Sequence, residues 1–337
     1  MRDFHFKERK RGLVMIHQLK ENQQVKKKSN RKWLSFLIVL NGLLWGTGIY
    51  LWYLGSDGPP GVSNGTTTGP GSGNLAFSRD DALNDGNTSL SIESEHALLV
   101  NLTTGEILLE HHADAAAYPA SLTKMMTVLI AIESTGEEGV VVRADFDALH
   151  HANAAMVGFE YGELRTLSEV LHGAMLSSGA DATETIAYHV SGSYEGFVTR
   201  MNQRAAQIGM TNTNFANASG LHHPDQHTTA YDMAVFLRYA LENPVFREVF
   251  TARTYTISTV TGESRTLNST MFSNLSDPVF SGGEILGGKD GYTPQAGVCL
   301  ASLATDGEHE FVLITLGGRS PQAHITDAFA IYTYFLD

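Results

Sequence analysis

Residues 33–54, WLSFLIVLNGLLWGTGIYLWYL, contain no charged side chain, and this run divides the rest of the chain. It is long enough, as a helix, to span a hydrocarbon core of roughly 30 Å. All three tryptophans (Trp33, Trp45, Trp52) lie in it, and Tyr50 and Tyr53 stand at its far end, as an interfacial aromatic belt requires. Residues 1–32 carry eleven basic and three acidic side chains, a net +8. A basic flank stays on the cytoplasmic side, so the remainder of the chain is expected outside. The rival, a cleaved signal peptide, has a shorter apolar core and an A-x-A site, which this run lacks. The expectation is a retained, single-pass N-terminal transmembrane helix.

Residues 55–75 (GSDGPPGVSNGTTTGPGSGNL) have almost nothing to bury and read as a flexible linker. The globular part is expected over 76–337. Residues 33–337 hold 12 basic and 33 acidic side chains, a net −21, the wrong sign for a folded nucleic-acid-binding face. The one cysteine, Cys299, excludes an intrachain disulfide framework and a Cys-based zinc cage, and it lies too far along for a lipid anchor. Its apolar neighbours make it a small buried residue.

His96–Val100 and Glu106–Glu110 flank a Thr-Thr-Gly turn and predict a hairpin. Helices are predicted at Ser121–Glu133, at Thr166–Met175 behind a Thr166…Glu169 capping box, at Tyr194–Ile208 and at Thr326–Leu336. Strands are predicted at Thr254–Val260, Val298–Ala304 and Phe311–Leu316. The order implies an α/β fold of the α+β type: an antiparallel sheet flanked by helices, its first and last strands adjacent, with a helical lobe inserted between them.

Lysine is scarce after residue 32. Only Lys124 and Lys289 remain, beside ten arginines, and lysine can lose its proton where arginine in practice cannot. Ser121-Leu-Thr-Lys124 puts serine and lysine on one helix face, and MMTVLIAI follows with Thr127 as its only polar member. A helix apolar all round is buried, and burial lowers a lysine pKa towards the neutral form that accepts a serine proton. A second S-x-x-K, Ser29–Lys32, lies in the basic tail and has no such context. Ser178, in Leu176-Ser-Ser-Gly-Ala-Asp-Ala182, falls between two helical stretches. Lys289 sits among small residues in Gly287-Gly-Lys-Asp-Gly-Tyr292, at a strand a ligand can approach closely.

In this order the three segments match the S-x-x-K, S-x-N, K-T-G set of penicillin-binding proteins and class A β-lactamases. PASLTKMMT (119–127), LSSGADA (176–182), ANASGLHHPDQHTTAYDM (216–233) and GGKDGYTPQAGVCL (287–300) together resemble the low-molecular-mass serine D-alanyl-D-alanine carboxypeptidases of the β-lactamase/DD-peptidase superfamily, over roughly residues 90–335. The resemblance implies Ser121 as acylated nucleophile, Lys124 as general base, and Ser178, assisted by the charge of Lys289, as proton relay to the leaving amine. It implies an oxyanion hole from the backbone N–H groups of Ser121 and Tyr292, with Gly179 and Gly291 among the substrate-binding positions. The implied substrate is a peptidoglycan stem peptide ending in D-Ala-D-Ala, with β-lactams as inhibitors, no metal or cofactor, and a location on the outer side of a bacterial cell membrane. The resemblance ends with the closing helix, so the anchor is expected at 33–54.

Two positions depart from the family pattern. Ala180 replaces an asparagine that holds the substrate peptide. Asp290 replaces a threonine whose hydroxyl binds the substrate's terminal carboxylate. Two carboxylates about 4 Å apart repel by about 4 kcal/mol at an effective dielectric near 20. Asp290 is therefore turned away, neutralised by a cation, or incompatible with ordinary activity; Arg319 and His324 are the candidate counter-charges, and Arg319 is expected to pair with Asp290 or with substrate. Two other readings stay open: a catalytically impaired wall-binding or β-lactam-sensing module, and a β-lactamase. The latter needs an E-x-x-L-N glutamate, and Glu263-Ser-Arg-Thr-Leu-Asn268 is one residue too long. The pairs His111-His112 and His150-His151 and the His222–His227 cluster lack the spacing of a metal site.

Overall fold

The computed structural model describes residues 77–78, 83–84 and 90–337, apart from 135–138, 259–261, 263 and 276. The basic tail, the apolar run 33–54 and the linker 55–75 lie outside the described residues. Among those described, no helix is long and apolar enough to cross a membrane.

In chain order the strands are β1 (Leu83–Asn84), β2 (His96–Asn101), β3 (Ile107–His111), β4 (Gly139–Val141), β5 (Leu164–Thr166), β6 (Thr254–Ser258), β7 (Ser264–Asn268), β8 (Val279–Phe280), β9 (Gly283–Thr293), β10 (Gly297–Thr305) and β11 (Glu310–Gly318). The helices are α1 (Thr123–Ser134), α2 (Phe146–His151), α3 (Leu167–Leu176), α4 (Ala180–Ser191), α5 (Tyr194–Ile208), α6 (Ala230–Ala240), α7 (Pro244–Thr251), α8 (Thr270–Ser273) and α9 (Ala323–Leu336).

Among the described residues the main sheet has seven strands in the order β1-β3-β2-β11-β10-β9-β8, antiparallel except for the short β1–β3 pair. The expected hairpin is β2–β3, and its first strand pairs with β11, Leu98 opposite Ile314, so the early and late strands do come together. Helices α1 to α7 fall in sequence between β3 and β8, as the inserted lobe predicts. The pairs β4–β5 and β6–β7 form small two-stranded sheets that the sequence pattern did not announce. The predicted strand Thr254–Val260 corresponds to β6 over Thr254–Ser258, and its last two positions lie outside the described residues.

Side-chain alternation explains why the central strands read as continuous apolar runs. Leu98, Val100, Ala301, Leu303, Val312 and Ile314 face the core shared with the lobe. Ala97, Leu99, Leu300, Ala304, Phe311 and Leu313 face a second core completed by Ala328, Ile331 and Tyr332 of α9. A sheet covered on both faces needs apolar residues at every position, not every other one. Tyr332 buries its whole ring, stacks on Phe280 at 5.2 Å, and satisfies its hydroxyl on Ser302 Oγ at 3.0 Å.

Helix α9 is tied to the chain entering β2 by one buried carboxylate. Asp327 accepts from the Glu93 and Ser94 backbone N–H groups at 3.0 and 2.8 Å, and from the Ser94 hydroxyl at 2.6 Å. Truncating it strands buried donors, each costing about 1–3 kcal/mol. Asp327→Ala is expected to lower the unfolding free energy by about 3 kcal/mol, read from urea titration; a loss below about 1 kcal/mol means that α9 is held by its apolar face alone.

Candidate active site

Ser121 occupies a 3-10 turn, Ala120–Leu122, that opens into α1. The helix is apolar on every side, with Met125, Met126, Val128, Leu129 and Ile130 buried, so Lys124 in its first turn is buried as well. Lys124 Nζ lies 3.0 Å from Ser121 Oγ and donates to the Ser219 carbonyl oxygen. Burial, and then the positive charge of Lys289, hold the Lys124 pKa well below the usual lysine range; Asp181 and Asp290 oppose them.

The Ser219 carbonyl is itself held in place. Asn217 Oδ1 accepts from the backbone of Ser219 and Gly220 at 3.2 and 2.7 Å, and Thr127 of α1 donates to the Ala218 carbonyl at 2.8 Å. Gly220 has φ +82°, and a Cβ on it would collide with the Ala120 carbonyl. From the other side Gly291 of β9 presses on the same turn: a Cβ there would sit 2.7 Å from the Ser121 nitrogen. The two glycines let a loop and a strand close on the Ser121 backbone.

Ser178 joins α3 to α4, as its position between helical stretches predicted, and it holds the left-handed conformation at φ +54°. Ala120, one residue before Ser121, has φ +46°. Strain of this kind costs of order 1–3 kcal/mol and persists where surrounding contacts enforce it. Three residues on, Asp181 is fully buried and accepts from the backbone N–H groups of Val157, Gly158 and Phe159 at 2.8, 2.9 and 3.1 Å, which fixes the start of α4 against that segment. Gly179 caps α4 and packs on Val157. Ala180 is buried in an apolar cluster with Ala144 and Leu149, so that position offers nothing polar.

Lys289 of β9 is 1% exposed. Its Nζ donates to the Asp290 carbonyl at 2.6 Å and to Asp290 Oδ1 at 3.2 Å, and Thr270 of α8 also donates to Oδ1. Burial pushes the Asp290 pKa up, but Lys289, the Thr270 hydroxyl and His324 together bring it below the usual carboxylate value. Asp290 is thus neutralised by a cation, but the cation is Lys289. The expected pairing with Arg319 is not made: Arg319 is tied to Glu95 at 3.4 Å, at the rim, with its side chain 75% exposed. Arg319, just after β11, keeps its side chain in solvent, whereas the buried Lys289 amine reaches both the Asp290 carbonyl and its carboxylate.

Seven of the ten proposed site residues, Ser121, Ser178, Asp290, Gly291, Tyr292, Arg319 and His324, line one open cleft of about 770 Å³. Lys124 and Lys289 are buried, and Gly179 supports the Ser178 turn without lining the cleft. The Tyr292 side chain is 63% exposed beside Gly291. Thr270, Asp181 and Ser219 also belong to the site; Asp181 and Ser219 stand inside the 176–182 and 216–233 segments, while nothing in the sequence marks Thr270. Cys299 is buried as expected, and burial pushes its thiol pKa up to about 12.

Residues 84–320 match the family model described as D-alanyl-D-alanine carboxypeptidase. The D-alanyl-D-alanine carboxypeptidase DacF of Bacillus subtilis (strain 168) is 30% identical over 250 residues, 73% of this chain and 62% of that protein. DacB2 of Mycobacterium tuberculosis is 30% identical over 223 residues, 66% of this chain and 74% of that protein. Among solved structures, a Streptomyces DD-transpeptidase matches with a TM-score of 0.66 at 27% identity, covering 73% of this chain and 98% of that one. A D-alanyl-D-alanine carboxypeptidase from Mycobacterium tuberculosis matches at 0.65 and 26%, covering 74% and 94%. The chain spans 60–62% of the length of the first three curated relatives it matches.

The contact between Gly220 and the Ala120 carbonyl yields a direct test. Gly220→Ala combines a positive φ with a backbone collision, and is expected to lower stability by more than about 2 kcal/mol in urea unfolding. An unchanged midpoint would mean that the loop carrying Ser219 can withdraw from the Ser121 turn at no cost.

Proposed function

The chain belongs to the D-alanyl-D-alanine carboxypeptidase family, and from that premise we propose that it is a serine D,D-carboxypeptidase acting on peptidoglycan stem peptides through an acyl-enzyme on Ser121. The observation that carries this reading is the buried Lys124 amine 3.0 Å from Ser121 Oγ, with its pKa depressed by burial. A neutral amine there takes the Ser121 proton as Oγ attacks the penultimate D-Ala carbonyl. The helix-start N–H of Ser121 and that of Tyr292 stabilise the developing oxyanion. Ser178 returns a proton to the leaving amine, and water then releases the acyl group. β-Lactams acylate the same serine.

In this reading the catalytic domain, residues 76–337, lies outside a bacterial cell membrane and is tethered through 55–75 to a span at 33–54. The uncharged run behind a +8 flank supports that orientation. The engagement of Lys289 by Asp290 favours one other reading, a catalytically impaired wall-binding or β-lactam-sensing module of the same fold. Fluorescent-penicillin labelling together with D-Ala release separates the two: stable label without release belongs to a sensor, and no label to a non-acylating module.

Two outcomes are expected. Ser121→Ala abolishes labelling and lowers D-Ala release by at least about a thousandfold. The acylation rate rises with pH along a limb below the ordinary lysine value of 10.5, because Lys124 works only when neutral. Asp290 raises that pKa, so Asp290→Asn moves the limb to lower pH. A limb that stays put, or moves up, sinks the assignment of Lys124 as base.

A further inference from the structure

Arg265 of β7 stands in Glu263-Ser-Arg-Thr-Leu-Asn268, the string that is one residue too long for a β-lactamase motif. The fold gives it a different use. Arg265 pairs across the hairpin with Ile257 and lies two residues before Leu267, so the three share one face. Ile257 and Leu267 are buried in the core that the lobe shares with the sheet, so that face is turned to the lobe. There Arg265 Nη2 donates to the Val157 carbonyl oxygen. A Cβ on Gly158 would sit 3.3 Å from Arg265 Nη1, so the guanidinium covers both residues. From the lobe side Arg165 donates to the Ser258 carbonyl oxygen of β6, and the hairpin is thereby docked in both directions.

Val157 links that guanidinium to the cleft. Its N–H, with those of Gly158 and Phe159, donates to the buried Asp181 carboxylate, while its carbonyl accepts from Arg265. Its side chain fills the space that a Cβ on Gly173 or Gly179 would need. The Ala180 N–H donates to the Ala155 carbonyl at 2.8 Å, so residues 155–159 lie along 179–181. Ala155 and Ser178 line the same cleft. Ser178 immediately precedes Gly179 and holds φ +54°, a region that a serine keeps only where its neighbours are fixed. Asp181 belongs to the same helix start as Ser178, whereas Arg265 reaches in from the hairpin and is the outer of two holds on Val157. We propose that Arg265 is a positioning residue: by keeping Val157 against Gly179 it holds Ser178 in the orientation that protonates the leaving amine. This rests on the acyl-transfer reading and assigns a residue to its proton-return step. The scissile C–N bond breaks as the nitrogen takes the proton first removed from Ser121, and that transfer needs a well-placed donor. A thiolate leaves as the C–S bond breaks without taking a proton, so its departure does not depend on Ser178 or on Arg265.

The test uses the full-length protein in detergent as parent, Arg265→Met, Ser178→Ala and the double variant. The substrates are diacetyl-L-Lys-D-Ala-D-Ala and an N-acyl-D-alanyl thioester of thioglycolate. Methionine keeps an apolar stem and removes the donors. Arg265→Met is expected to lower kcat/KM for the peptide by at least about tenfold. For the thioester the loss stays below about twofold, because kcat/KM covers only the steps up to acylation and a thiolate needs no proton to leave. In the Ser178→Ala background Arg265→Met costs the peptide less than about twofold further, since both changes act on one step. If Arg265→Met does not fold, Arg265→Gln, with a shorter side chain, goes through the same comparison. Equal losses on the two substrates, no loss on the peptide, or full additivity in the double variant overturns the assignment of Arg265 alone. A parent that hydrolyses the thioester but not the peptide overturns the Ser178 relay and this assignment with it. A parent inactive on both overturns the acyl-transfer reading itself.

Discussion

The buried amine of Lys124 is the constraint from which the rest of the site follows. An ammonium removed from water is costly, so the group is pushed towards its neutral form unless something nearby is negative. The chain surrounds it with the apolar side chains of α1 and gives it two partners, Ser121 Oγ and the Ser219 carbonyl. Each partner needs its own support. The Ser219 carbonyl is set by the Asn217 turn and by Thr127, and Ser121 is set by two glycines that let β9 and the 216–221 loop touch its backbone. The lobe and the sheet are thus joined at the Ser121 turn, and neither alone completes the cleft.

Lys289 and Asp290 alter the electrostatics of that arrangement without dismantling it. Lys289 lowers the Lys124 pKa and Asp290 raises it, so the adjacent pair partly cancels at the Lys124 amine. What Asp290 changes most is the cleft wall, which it and His324 both line, the His324 ring nitrogens being buried and without a hydrogen-bond partner among the described residues. Its full cost against an incoming carboxylate, about 4 kcal/mol at 4 Å and an effective dielectric near 20, is reduced to the extent that Lys289 and Thr270 already hold Oδ1.

Much of this was legible in the sequence, and the failures have physical reasons. Two lysines in a region otherwise served by arginine marked the two buried amines, and the apolar run after Lys124 announced its burial. Tyr194–Ile208 forms a helix over its predicted span because its one apolar face, Phe197, Met201, Ala205 and Ile208, is also its buried face. Helix α4 escaped notice because it buries Asp181, Thr183 and Thr185, so an apolar period does not trace its inner side. Helices α6 and α7 are likewise clear only once their Thr229 and Asn243 caps are seen bonded to the backbone. The partner of Asp290 was misjudged because pattern cannot tell which of several nearby cations points inward. Arg319 is close in the cleft yet faces solvent, and Thr270 belongs to a one-turn helix with no periodic signature.

The strained residues are where the fold shows what it is arranged for. Two of the four non-glycine residues with positive φ among the described residues are Ser178 and the neighbour of Ser121, and neither conformation is favoured by the residue that adopts it. Close contacts surround both: three backbone donors converge on Asp181 at the start of the helix that follows Ser178, and Gly220 and Gly291 close on the Ala120–Ser121 turn. Donors and nucleophile fixed before a ligand arrives need not reorganise as charge develops, which is the condition under which such groups stabilise a transition state best. A site that had lost its chemistry would be free to relax these positions by exchanging Ser178 for glycine or filling Gly291. Strain and close approach at Ser121 and Ser178 therefore agree with the proposed role of Ser121, on grounds independent of the motif.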